Sequence, residues 1–205
     1  MGLLRTPLRW SGVAVMAVAL IWAVLIPKPD VLISGDGHNI AVRGRDGRLH
    51  LLRTAKDAFL LKEWLAGDAD ARTAADPSLT VGISCDDAGC VVPAADGSLV
   101  AVPLRPDALA DDCEPAGLIV TTQQAPRICG AAAIDRDRLR RQGALALWRR
   151  GDTLEVEAVR PRGLDRPWSP AFPGEGETDA VIPSRPAAPH AQDATPSETD
   201  LQADD

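Results

Sequence analysis

Seventeen consecutive residues, Trp10 to Ile26 (WSGVAVMAVALIWAVLI), carry no charge. That is the short end of the ~17–25 residues that cross a bilayer as a helix. Arg5 and Arg9 precede the run, whereas Lys28 and Asp30 beyond it cancel. The positive-inside bias then keeps residues 1–9 in the cytoplasm and puts residues 30–205 outside. Trp10, at the start of the run, suits an interfacial anchor. A cleaved signal peptide shares the basic start and apolar centre, but Pro27, Lys28, Pro29 and Asp30 offer no small-residue pair for cleavage. A buried helix of a water-soluble protein usually carries a polar face. The run is therefore read as a transmembrane helix over residues 10–26.

Beyond the apolar run the chain divides into a neutral part and an acidic tail. The net charge is −7, and residues 164–205 account for all of it. This segment also holds seven of the seventeen prolines and few large apolar side chains. It buries too little surface to offset the entropy of ordering, so residues 164–205 are expected to be a disordered acidic Pro-rich tail. The absence of any excess positive charge argues against a nucleic-acid surface built on bulk electrostatics. With five Trp, two Phe and no Tyr, aromatic stacking platforms are poorly supplied too.

All four cysteines, Cys85, Cys90, Cys113 and Cys129, fall inside the expected domain, residues 30–163. An even count in an exported domain reads as disulfides, with three pairings open. The turn-like CDDAGC favours Cys85–Cys90, which leaves Cys113–Cys129 to close a loop around GLIVTT. Zinc bound by all four is the rival. Structural zinc sites use closely spaced pairs, and only Cys85 and Cys90 have that spacing.

Val31–Ser34 reads as a strand, and Ile40–Arg43 and Leu49–Arg53 as a hairpin around GRDGR. A helix comes next over Asp57–Gly67, capped by Asp57, and residues 68–77 (DADARTAADP) read as a linker. Thr80–Cys85, Cys90–Pro93 and Leu99–Pro103 read as strands, and Arg105–Cys113 as a short helix with Pro106 near its start. Gly117–Thr122 is a buried strand, a helix starting at Ile134 or Asp135 runs to Gln142, and Gly143–Trp148 with Thr153–Arg160 closes the domain as a hairpin. Strands mixed with single helices suggest one α/β sheet with mixed pairing.

The anchor followed by PDVLISGDGHNIAVRGRDGRLHLL, the spaced cysteine pairs, and GLIVTT…C…AIDRDRLRRQGALAL resemble the C-terminal region of ComEC-family competence proteins, particularly the alphaproteobacterial form. The resemblance covers about residues 5–162. It implies an extracytoplasmic domain of metallo-β-lactamase fold beside an inner-membrane channel that passes single-stranded DNA during natural transformation. Gly35, Asp36 and Gly37 stand in a turn similar to the family's DVGQGD opening, and GLIVTT and GALALW are similar to its paired inner strands around a final helix. The hydrolytic version of the fold carries an HxHxDH motif around one or two metals. This chain has only His38, His50 and His190, none within two residues of another. The expected fold is thus a small mixed α/β domain, a reduced metallo-β-lactamase fold with no catalytic residue, metal or cofactor.

Other chemistry finds little footing. His38 in a turn and His50 on the polar face of a strand lack an orienting partner. Ser34 and Ser84 have no G-x-S-x-G context, and no phosphate-loop pattern exists. Asp86, Asp87, Asp111, Asp112 and Glu114 flank the cysteines without EF-hand spacing. The one basic concentration is Arg136, Arg138, Arg140, Arg141, Arg149 and Arg150, six arginines within fifteen residues. These are the candidate DNA phosphate contacts, against a solvated face paired with Asp135, Asp137 and Asp152. The reading is a non-catalytic ComEC-like periplasmic domain, N-terminus cytoplasmic, supporting DNA uptake by contacting single-stranded DNA or a multi-span channel. The channel helices are absent from these residues, so the chain is expected to be a piece that works with a separate channel. The alternative is a bitopic envelope protein with a disulfide-stapled binding domain unrelated to DNA.

Overall fold

The computed structural model describes residues 8–53, 57–126, 128–160, 166–168 and 181–183. Helix α1 covers Leu8–Leu25. A six-stranded antiparallel sheet is built from β1 (Val31–Ile33), β2 (Asn39–Arg43), β3 (Leu49–Arg53), β9 (Leu145–Arg150), β10 (Thr153–Ala158) and β11 (Val181–Pro183), in the order β11-β10-β9-β1-β2-β3. A five-stranded mixed sheet holds β4 (Ser84–Cys85), β5 (Gly89–Pro93), β6 (Leu99–Pro103), β7 (Leu118–Val120) and β8 (Ala132–Ile134) in sequence order. Its β6–β7 and β7–β8 pairs are parallel. The fold is mixed α/β, but in two sheets rather than the single sheet expected.

Period-two alternation explains why the sheets face each other. Val31, Ile33, Ile40, Val42, Leu145, Leu147, Leu154 and Val156 form one core with Val92, Val100, Val102, Leu118, Val120 and Ile134. The opposite faces are covered by helices. α2 (Ala58–Gly67) presses Leu61 and Leu65 onto Ala41, Leu49 and Leu51, and α3 (Pro106–Asp112) lays Leu109 on Ala101 and Ile119. Each fully buried leucine contributes roughly 1.5–3 kcal/mol before the entropy of ordering. α4 (Arg136–Gln142) closes one end of the sandwich, its Leu139 entering the shared core. GLIVTT and GALALW, expected to pair, lie instead in different sheets and meet across that core.

Several elements differ from the sequence reading. Among the described residues no helix is long and apolar enough to cross a membrane. At 18 residues α1 is about 27 Å long, against a hydrocarbon core of about 30 Å. It is exposed at every described position, Trp10 and Trp22 at 77% and 69%. The expected linker 68–77 is tied down: Arg72 brackets the Asp70 carboxylate and donates to Leu49 O at 2.8 Å. The Arg72 hydrogen bonds hold the Asp70 carboxyl below the usual carboxylate range. Pro77–Thr80 is a 3₁₀ turn, which shortens the strand expected over Thr80–Cys85. β8 fell outside the expectation because Ala132–Ile134 is too short to show a period. Within the tail expected to be disordered, Val181–Pro183 pairs with β10 and packs Ile182 against the core. Apart from Arg166–Trp168, the rest of 164–205, His190 included, lies outside the described residues, as do residues 1–7.

Disulfides join Cys85 to Cys90 and Cys113 to Cys129. No free cysteine remains, which removes the zinc alternative. The first links directly opposed residues of β4 and β5, and the second ties the end of α3 to the loop before β8. Replacing Cys113 and Cys129 together with alanine is expected to cost about 3 kcal/mol, and the Cys85/Cys90 pair about 2 kcal/mol, since loop-closure entropy grows with loop length. Equilibrium urea unfolding measures both.

Candidate functional site

The Gly-Asp-Gly turn, residues 34–38, lies at the end of the sandwich that α4 closes. Gly37 has φ +74°, and a Cβ there would stand 2.8 Å from Leu139 Cδ1 and 3.2 Å from Thr122 Cγ2. Glycine is required both by that φ and by the approach of α4 and the loop after β7. The turn is braced internally. The Asp36 carboxylate accepts from the Ser34 hydroxyl and, at 3.0 Å, from the His38 backbone N–H. Ser34 Oγ accepts from Asn39 N–H at 2.9 Å. Partial burial pushes the Asp36 carboxyl up, but the Ser34 and His38 hydrogen bonds and the nearby imidazole outweigh it and hold the group below the usual carboxylate range. Asp36 is thus a charged brace, not a proton donor, at neutral pH.

The histidines stand apart. His38 is exposed in this turn. His50 does not lie on an open polar face, because both faces of β3 are covered, Leu49 and Leu51 under α2 and Leu52 in the inter-sheet core. Its side chain is 12% exposed, and Nε2 lies 3.1 Å from Asp46 Oδ1 at the opposite end of the sheet. Among the described residues no group of three or more His, Cys, Asp or Glu side chains is arranged to hold a metal ion. Burial, then the charges of Asp111 and Asp86, pushes the Asp112 carboxyl up.

The six arginines do not form one patch. Asp135 caps α4 by accepting from Arg138 N–H at 2.9 Å, and Arg140 and Arg141 occupy the last turn, where cations complement the helix dipole. Arg138 Nε donates to Gln142 Oε1 at 2.9 Å, and Arg136 lies 3.8 Å from Asp137. Arg149 and Arg150 sit at the far end of β9, about 13 Å or more of strand from α4. Arg149 is 12% exposed and pairs with Asp96 at 2.8 Å, pinning β9 to the β5–β6 turn of the other sheet. Arg150 reaches Glu155 across its own hairpin at 3.4 Å. Clustering in sequence thus failed as a guide because the turn at Gly143 and the length of β9 send the two groups to opposite ends.

A polar centre that sequence reasoning missed lies at that opposite end. Arg43, 9% exposed, donates to both Asp68 carboxylate oxygens at 2.7 and 3.1 Å, to Gly47 O at 2.8 Å and to Pro29 O at 3.0 Å. The one signal for it was that Arg43 shares the period-two face of Ala41, the face α2 covers.

Compared with protein-family models, curated proteins and solved structures, the chain gave no match.

The Asp36 brace has a pH signature. Its folded pKa is depressed, so its contribution is present above about pH 4, the unfolded value, and fades as pH falls through the folded value. Asp36→Asn is therefore expected to destabilise more at pH 7 than at pH 2, by less than about 1 kcal/mol because the exposed carboxylate is screened by water, read by urea unfolding at both.

Proposed function

We propose that this chain is a non-catalytic ComEC-type domain, held by residues 10–26 at the inner membrane with residues 30–205 on the periplasmic side, and that it supports DNA uptake by contacting a channel rather than by gripping DNA. The observation that carries the membrane part is an apolar helix, exposed at every described position, joined to a domain stapled by two disulfides. Disulfides persist in oxidising compartments, and residues 10–26 carry no charge. The shortfall of about 3 Å against the bilayer core is of the size that local thinning and flanking cations such as Arg9 and Lys28 accommodate.

The link to DNA uptake rests on the resemblance of residues 30–52 and 117–147. Its opening order of strand, Gly-Asp-Gly turn and hairpin matches β1, residues 34–38 and β2–β3. The choice of a channel over DNA rests on the arginines, since Arg136, Arg149 and Arg150 pair with carboxylates and the six face different ends. The same dispersal also favours the second reading, an envelope protein that binds something other than DNA. In the native host, removal of residues 30–160 is expected to lower transformation frequency sharply. Unchanged transformation would leave the second reading standing. The purified chain is expected to bind single-stranded DNA with a Kd no tighter than about 10⁻⁴ M at physiological salt, read by fluorescence anisotropy.

A further inference from the structure

The chain leaves α1 through Ile26-Pro27-Lys28-Pro29-Asp30, a passage that its sequence already stiffens. Each proline fixes its own φ at about −65° and pushes the residue before it out of the helical region. Ile26, Pro27, Lys28 and Pro29 therefore all have restricted backbones. Helical bonding runs right up to them, since Ile26 N–H donates to Trp22 O at 3.2 Å. No residue is left between the last bond of the helix and the first contact with the domain.

That contact is at Pro27 itself, whose carbonyl accepts from Trp148 Nε1 at 3.1 Å. Lys28 Nζ donates to Asp68 O at 2.6 Å, and Arg43 Nε donates to Pro29 O at 3.0 Å. Asp30 is built into the sheet. Its N–H donates to Leu147 O at 2.8 Å, its carbonyl accepts from Arg43 N–H at 2.7 Å, and its carboxylate accepts from Arg149 N–H at 2.7 Å. The partners belong to β2, β9 and the end of α2. They sit at the base of the domain, where β2 and β9 finish and β1, β3 and β10 start. These restraints do not weigh alike. Lys28 is 51% exposed, and water competes for its ammonium. Arg43, 9% exposed, and the three bonds of Asp30 hold more firmly, and Trp148 supplies the restraint nearest the helix.

We propose that residues 26–30 are a rigid coupling, by which α1 and the domain move as one body. A slack tether would let the helix swing and turn on its own axis, whereas here its exit is set by β2 and β9. Whatever grips α1, bilayer or protein neighbour, thereby receives the domain in one orientation, and a tilt imposed on either part passes to the other. The proposal stands apart from the membrane reading, because the restraints lie in the junction and not in what surrounds the helix.

The test is the distance between two nitroxides on the full chain in detergent micelles, read by pulsed electron paramagnetic resonance. All native cysteines are in disulfides, so labels go only to introduced ones, Met16→Cys on α1 and Arg141→Cys on α4, both exposed positions. Ala66→Cys with Arg141→Cys is the control pair inside the domain. Residues 16 and 141 are expected to give a single distance as narrow as the control. Pro27→Gly combined with Trp148→Phe, which removes the indole N–H and keeps a ring, is expected to lose that narrow peak to a broad distribution while the control is unchanged. A broad 16–141 distribution in the otherwise unaltered chain overturns the coupling. So does a peak that stays narrow in the double variant, since the restraint then lies elsewhere. If the double variant shifts the control pair, Pro27→Gly alone, which alters no side chain of the core, is read in its place by the same two outcomes.

Discussion

A buried guanidinium is costly unless its donors are met, and Arg43 meets them with groups from three separate segments. Pro29 belongs to the connection from α1, Gly47 to the β2–β3 turn, and Asp68 to the end of α2. The same carboxylate and its backbone carbonyl also receive Lys28. This one cation therefore fixes where the chain enters the domain, how the first hairpin turns, and where α2 stops. Removing it would leave a carboxylate at 9% exposure without its main partner, and would loosen the connection from α1.

The rest of the architecture distributes rigidity in the same manner. The inter-sheet core is apolar, so its layers are held by packing alone and need polar pins at the ends. Arg149–Asp96 pins the base end, and α4 with Leu139 closes the other. The two disulfides are confined to the second sheet and α3, the half with the shorter strands and the loops longest in proportion to them. A domain held in this way suits a part that must keep its shape against a neighbour. Its Gly-Asp-Gly turn is occupied by its own hydrogen bonds.

Much of the fold was legible because burial and alternation coincide. β2 and β3, the α2 cap at Asp57, the α3 start at Pro106 and the closing hairpin follow from period-two runs, turn glycines and capping residues. The division into two sheets was not legible, because it depends on which strands pair at long range, and the sequence of β7 looks the same in either arrangement. β8 and β11 have three residues each, too few for a pattern. Asp68, Asp70 and Arg72 read as a polar linker because ion pairs within a surface loop have the composition of a solvated one. His50 was misplaced for a related reason: a polar residue between two leucines signals a solvent-facing side only when one face of the strand is open. As for the candidate site, the residue 34–38 turn is legible from its glycines, whereas the division of the six arginines between two ends is not, because nearness in sequence does not survive a helix terminus.

The proposed place of this domain is beside a membrane channel, on the periplasmic side. Its most direct test is chemical crosslinking in membranes of the native host, with identification of whatever is joined to the chain. Recovery of a multi-span competence protein, linked through residues of the domain, is the expected result. A chain that is abundant and folded in the membrane but joined to neither such a channel nor DNA would contradict the account and leave an independent envelope protein.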